Sequence, residues 1–210
     1  LTAEFSSKID SIRIADYTYS KMELNGEFKK GKGNVNFDYE DDDNLKFNLI
    51  SKIDLDSLSS QIDTEIDLQG MRTKKLGLTD KDIRAKVLAN IYFKGNLNNF
   101  SLDAQFNDGL VIYENELYDL DDINFSSTLD ATQTKADFSS SFLNLNLNAN
   151  ANVENIAKAI KTHFERHFDN DFSEPKTTID SPVKLDVNMN FIKTPILSEV
   201  FMEGIQEMDT

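Results

Sequence analysis

His163 and His167 stand four residues apart in "KTHFERHF", a spacing that places two imidazoles on one side of a helix, as zinc ligands are placed. Phe164 occupies the position where the zinc-protease motif HExxH has its glutamate, so the general base is missing. Two surface histidines flanking an apolar stripe account for the pair without a metal. The acidic runs Glu40–Asp43 and Asp119, Asp121, Asp122 offer oxygen ligands for calcium, but they lack the spaced loop with its glycine and terminal glutamate. They read as solvated turns. "KKGKGN" (29–34) lacks the spacing of a phosphate-binding loop and lies between two strand patterns rather than before a helix, so it reads as a hairpin turn. The chain has no Cys, which removes thiolate chemistry and disulfides, and no Trp, which removes the usual sugar platform beside a glycosidase carboxylate pair. No catalytic residue, no metal and no cofactor are expected, and an enzyme is not the reading.

The elements that would have to position such groups are strands. Apolar residues alternate with polar ones through Met22–Phe28, Val35–Tyr39, Leu45–Leu55, Ile62–Leu68, Ile83–Phe93, Phe100–Phe106 and Ile123–Leu129. The stretch "LNLNLNANANV" (143–153) is the most regular. Breaks between these runs are short and polar, "EDDDN", "KGNLNN", "NDG" and "ENE" among them, so consecutive strands are expected to pair as an antiparallel meander with one dry face. The apolar parity slips by one at Phe142 and Leu143, which requires a bulge or tight bend.

After Asn152 the period changes. Val153, Ile156, Ala157, Ile160, Phe164 and Phe168 recur at three- and four-residue steps, predicting an amphipathic helix capped by Asn152, with Ile156, Ile160 and Phe164 as its packing face. Leucine gives way to alanine at Ala149 and Ala151, marking the place where this helix would dock. A polar connection with Pro175 and Pro182 follows, then a strand Val183–Phe191 and a second helix opened by Thr194 and Pro195 with Ile196, Leu197, Val200, Phe201 and Ile205 on one side. The expected division is therefore a sheet over 1–152, a helix over 153–169, a linker over 170–182, and a strand plus short helix beginning a further repeat over 183–210.

With 37 acidic residues against 22 basic ones, the formal charge is −15, a surface that repels the phosphate backbone of nucleic acid and an anionic lipid headgroup layer alike, which disfavours nucleic acid as a partner. The chain opens at Leu1 without a signal pattern and stops in "FMEGIQEMDT", which reads as a piece of a longer protein. Ten or so strands about 4.8 Å apart make a sheet roughly 45 to 50 Å across, and a flat sheet that wide with one apolar face cannot stand in water. Its face must curl on itself, meet a second sheet as in a closed β-sandwich, or be covered by something other than protein.

The runs "KKLGLTDKDIRAKVLANIYFKGNLNNFSLDAQF" (74–106), "ADFSSSFLNLNLNANANVENIAKAIKTHF" (136–164) and "KLDVNMNFIKTPILSEVF" (184–201), in this order of strand, helix, proline linker, strand and helix, resemble the periplasmic part of TamB-type translocation and assembly module proteins of Bacteroidetes, within the AsmA-like group of repeating β-groove proteins. The resemblance implies a mainly β fold, a long antiparallel meander curled into an open β-taco with one or two amphipathic helices near its C-terminal end. It implies a periplasmic location, a full-length protein anchored in the inner membrane, an outer-membrane barrel protein as partner, and phospholipid or another acyl-chain lipid as cargo, with a part in outer-membrane protein assembly. Such a family has no catalytic residues. What carries over is a lipid-binding groove wall: Leu45, Phe47, Leu49, Ile62, Ile66, Ile91, Phe93, Leu102, Phe106, Phe125, Leu145 and Leu147. The alternative kept beside it is a closed β-sandwich serving as an interaction or structural module of a cell-envelope assembly.

Overall fold

In the computed structural model, which describes residues 2–14, 17–41, 44–56, 58–96, 98–168 and 182–202, the chain is mainly β: one open antiparallel sheet of twelve strands, not closed into a barrel. The strands are β1 (Thr2–Ile14), β2 (Tyr17–Lys29), β3 (Lys32–Asp41), β4 (Leu45–Asp54), β5 (Ser60–Arg72), β6 (Arg84–Asn96), β7 (Asn99–Tyr113), β8 (Glu116–Asp119), β9 (Ile123–Leu129), β10 (Thr134–Ser139), β11 (Leu143–Ala149) and β12 (Leu185–Phe191). Each pairs with its sequence neighbour except at β8, a short ribbon folded back on the end of β7, so that β9 takes the place beside β7. The meander follows from turn chemistry. Lys30 and Gly31 (φ 53° and 82°) and Glu114 and Asn115 (φ 52° and 70°) form two-residue turns in the left-handed region, the geometry that matches strand twist. At Asp56, Asn96 and Asp130 the side-chain oxygen accepts backbone N–H groups two and three residues on, closing the β4–β5, β6–β7 and β9–β10 connections.

One break differs from its sequence reading and another meets it. "NDG" (107–109) is not a turn: β7 runs straight through it, and Asp108 and Gly109 together oppose a single residue of β6 in a bulge, with Asp108 at φ 52°. The parity slip at Phe142 is the β10–β11 turn, held by Ser140 Oγ, which accepts from the N–H groups of Phe142 and Leu143.

The helix α1 spans Val153–Phe168, and Asn152 Oδ1 accepts from the Asn155 N–H (2.9 Å) as an N-cap should. The linker 170–182 lies outside the described residues apart from Pro182. Past it, β12 pairs with β11 over Leu143–Ala149 and Leu185–Phe191, so the strand assigned from sequence to a following repeat is the twelfth strand of the same sheet. The expected second helix is a single π-helical turn, Ile196–Phe201; Ile205 lies outside the described residues.

Candidate functional site

The strand register decides where the groove-wall residues go. Residues directly opposite in an antiparallel pair share a face. Phe47 pairs with Leu68, Leu49 with Ile66 and Ile53 with Ile62. Ile62 pairs in turn with Phe93, and Ile66 with Ala89. From β6 the chain of partners continues through Phe93–Leu102, Ile91–Ala104 and Ala89–Phe106 to Ala104–Phe125, Phe125–Phe138 and Phe138–Leu145. Leu45 alternates with Phe47 on β4, and Leu147 with Leu145 on β11, so all twelve residues lie on one face of one sheet.

None of the twelve is buried and none is fully exposed: each is half-buried, shielded by its neighbours on the face and open on the side away from the sheet. The buried positions on this face include small ones, Ser51, Ala89, Ala104 and Ala149, where larger neighbours close over them, and the larger Tyr39 and Leu129. No large side chain among the described residues is fully buried. Toward both edges the face grows more open, with Phe5 at 40% exposed on β1 and Met189 at 48% on β12. A closed sandwich would bury these residues under a second layer. Among the described residues there is one sheet, and no second sheet lies over it.

Two helical pieces cover its margins. At the end of the sheet where β6 begins and β7 ends, the π-helical turn lies over Ile83, Ala85, Val111, Ile123 and Leu143, and its own Ile196, Leu197 and Val200 are among the most buried side chains in the chain. Tyr118 Oη donates to Glu199 Oε2 (2.5 Å), which raises the phenol's pKa above its ordinary value, and Lys81 Nζ donates to the Val200 carbonyl (3.2 Å). At the opposite end the first turn of α1 meets the face where leucine has tapered: Ile156 packs on Ala149 and Ala151, beside Val183 and Leu185. Of the three expected packing residues only Ile156 is buried; Ile160 and Phe164 are exposed, because α1 touches the sheet through its first turn.

Aromatic residues that the sequence reading left out of the wall extend it across β1 to β4. Tyr17, Tyr19, Tyr39 and Phe37 join the wall residue Phe47 in one series of ring contacts, Tyr17–Tyr19–Tyr39–Phe47–Phe37, with centroids 4.9 to 5.8 Å apart. Tyr39 has its phenol pKa raised by burial, and Tyr17 hydrogen-bonds Asp41. The Phe5 ring lies over Gly26 and the Phe28 ring over Gly33, so closely that a Cβ at either glycine would collide with it. The period-two pattern did mark Phe28, Phe37 and Tyr39; β1, with Phe5, is masked by the polar run at Ser6–Lys8.

The opposite face is polar. Exposed ion pairs such as Lys8–Glu23 (2.7 Å) and Lys32–Asp54 (2.6 Å) cross between strands there and contribute little to stability. It also holds a depression of about 480 Å³ lined by Asp103, Gln105, Asn124, Asp137, Asn146 and Asn188 among others. The apolar face is a broad open surface rather than a pocket. His163 is exposed, and no group of three or more His, Cys, Asp or Glu side chains suited to a metal occurs among the described residues. No helix among them is long and apolar enough to cross a membrane. No family model, curated protein or solved structure matches this chain.

Proposed function

We propose that the chain is a non-enzymatic segment of a periplasm-spanning bridge whose apolar sheet face carries the acyl chains of phospholipids between inner and outer membrane, supports outer-membrane protein assembly, or both. One observation carries the reading: a twelve-strand sheet presents a continuous face of Leu, Ile, Val and Phe that the described chain covers only at its two ends. Exposed apolar area of that extent marks a binding surface. Burial of acyl chains on such a wall stabilises by about 0.8 kcal/mol per CH₂ and has no directional component, so a chain can slide along it without a chemical step. The resemblance to periplasmic β-groove proteins supplies the inner-membrane anchor, the outer-membrane barrel partner and the location.

A photo-crosslinking amino acid at Leu145 should capture phospholipid, and the same group at Asn146, whose side chain bonds Asp137 on the polar face, should not. Equal capture at the two positions would sink the proposal. A second reading, the shielding of unfolded outer-membrane strands, is favoured by the edges: β1 and β12 each pair on one side only among the described residues, which leaves a row of backbone groups for an added strand. Competition between a strand peptide and lipid separates the two clients.

A further inference from the structure

Helix α1 carries an apolar stripe that the sheet does not use. Val153, Ala157, Ile160 and Phe164 fall within a third of the helix circumference, and Val153 (53% exposed), Ile160 (42%) and Phe164 (58%) face solvent, while Ile156, at the margin of the stripe, is the residue that ties α1 to the sheet. The charge of α1 also runs against that of the whole chain. Its sixteen residues hold three basic and two acidic groups, where the chain as a whole is strongly acidic. Lys161 borders the stripe, and Lys158 lies farther round, paired with Glu154 (2.6 Å). An apolar stripe flanked by lysine stems that can reach past it is the composition of a helix that lies in the plane of a lipid interface.

We propose that α1 docks flat on an anionic phospholipid bilayer surface, with Val153, Ile160 and Phe164 entering the headgroup boundary and Lys158 and Lys161 at the level of the phosphates. Charge complementarity selects this occupant: α1 carries a net formal charge of +1 in a chain of −15, so anionic headgroups do not repel it as they do the acidic surface. Because Ile156 joins α1 to Ala149 and Leu185, docking would bring that end of the apolar face to the bilayer. The docking does not require that the sheet carry lipid, and its test is read separately from capture at Leu145.

The whole chain has no Trp, so Phe164→Trp places a single indole on the stripe. Added vesicles of phosphatidylcholine with phosphatidylglycerol should shift its emission to the blue, and brominated acyl chains should quench it. Ile160→Asp, at an exposed position that does not threaten folding, should lower the vesicle-bound fraction about tenfold. Lys161→Glu should weaken binding to the anionic vesicles about fivefold or more and leave binding to pure phosphatidylcholine unchanged. Emission that ignores vesicles, or binding that survives Ile160→Asp, overturns the proposal. So does a blue shift without vesicles, whether concentration-dependent, as for a second copy of the chain, or independent, as for α1 folded against its own sheet.

Discussion

Asp130 is the residue whose local chemistry is most sharply drawn. Its Oδ1 accepts from the Thr132 N–H (2.6 Å), the Thr132 hydroxyl (2.7 Å) and the Gln133 N–H (2.9 Å), and its Oδ2 accepts from the Gln133 amide (3.0 Å). Donors converging on the ionised form lower its pKa to about 2. A depressed folded-state pKa means stability that is complete above the ordinary carboxylate value and lost as pH falls through about 2. Asp130→Asn should therefore lower the melting temperature at neutral pH, and the gap from the parent should close as the pH approaches 2; a gap that stays constant down to pH 2 refutes this account. The same Asx device at Asp56 and Asn96 shows how much of the meander is written in its turns: a short polar side chain three or four residues before a strand restarts is legible without any tertiary information. The bulge at Asp108 and Gly109 shows the limit. "NDG" has the composition of a hairpin turn, and only the pairing of β7 with β6 on both sides of it decides that the strand continues.

At the scale of elements, the two helical pieces differ in what holds them. The π-helical turn is inserted among β6 to β11 side chains, and Leu197→Ala there should cost about 2 to 4 kcal/mol in chemical denaturation. Ile160→Ala, on the exposed stripe of α1, should fall within about 0.5 kcal/mol of the parent. A comparable loss at both positions would mean that α1 packs along its length. The periodicity of 153–168 revealed the helix and its cap, and the change from leucine to alanine at Ala149 and Ala151 revealed where it docks. How much of the stripe is covered was not readable there, because an amphipathic pattern is the same whether its apolar side meets protein, lipid or another chain. The π-helical turn was readable only as a helix, since the choice between 3.6-residue and wider turns is made by the neighbours that Ile196, Leu197 and Val200 must reach.

For the molecule as a whole, eleven strands side by side at about 4.8 Å give a sheet close to 50 Å wide. Its apolar face should bind Nile red in the native state, with fluorescence that falls on cooperative unfolding in denaturant; a native chain that leaves the dye dark has that face sealed. Alternation by itself determined that this chain makes strands, that they pair with their sequence neighbours, and that Phe47, Ile66, Phe93, Phe125 and Leu145 belong to one face, because side chains in a strand point to opposite sides at every step and short turns permit few partners. Whether that face would be sealed by a second layer was decided only in three dimensions. Period two is identical in a sandwich and in an open sheet, and the difference lies in where the meander goes: here every strand but the short β8 extends the same sheet, β12 joins β11 instead of beginning a new layer, and no strands are left among the described residues to cover what the others expose.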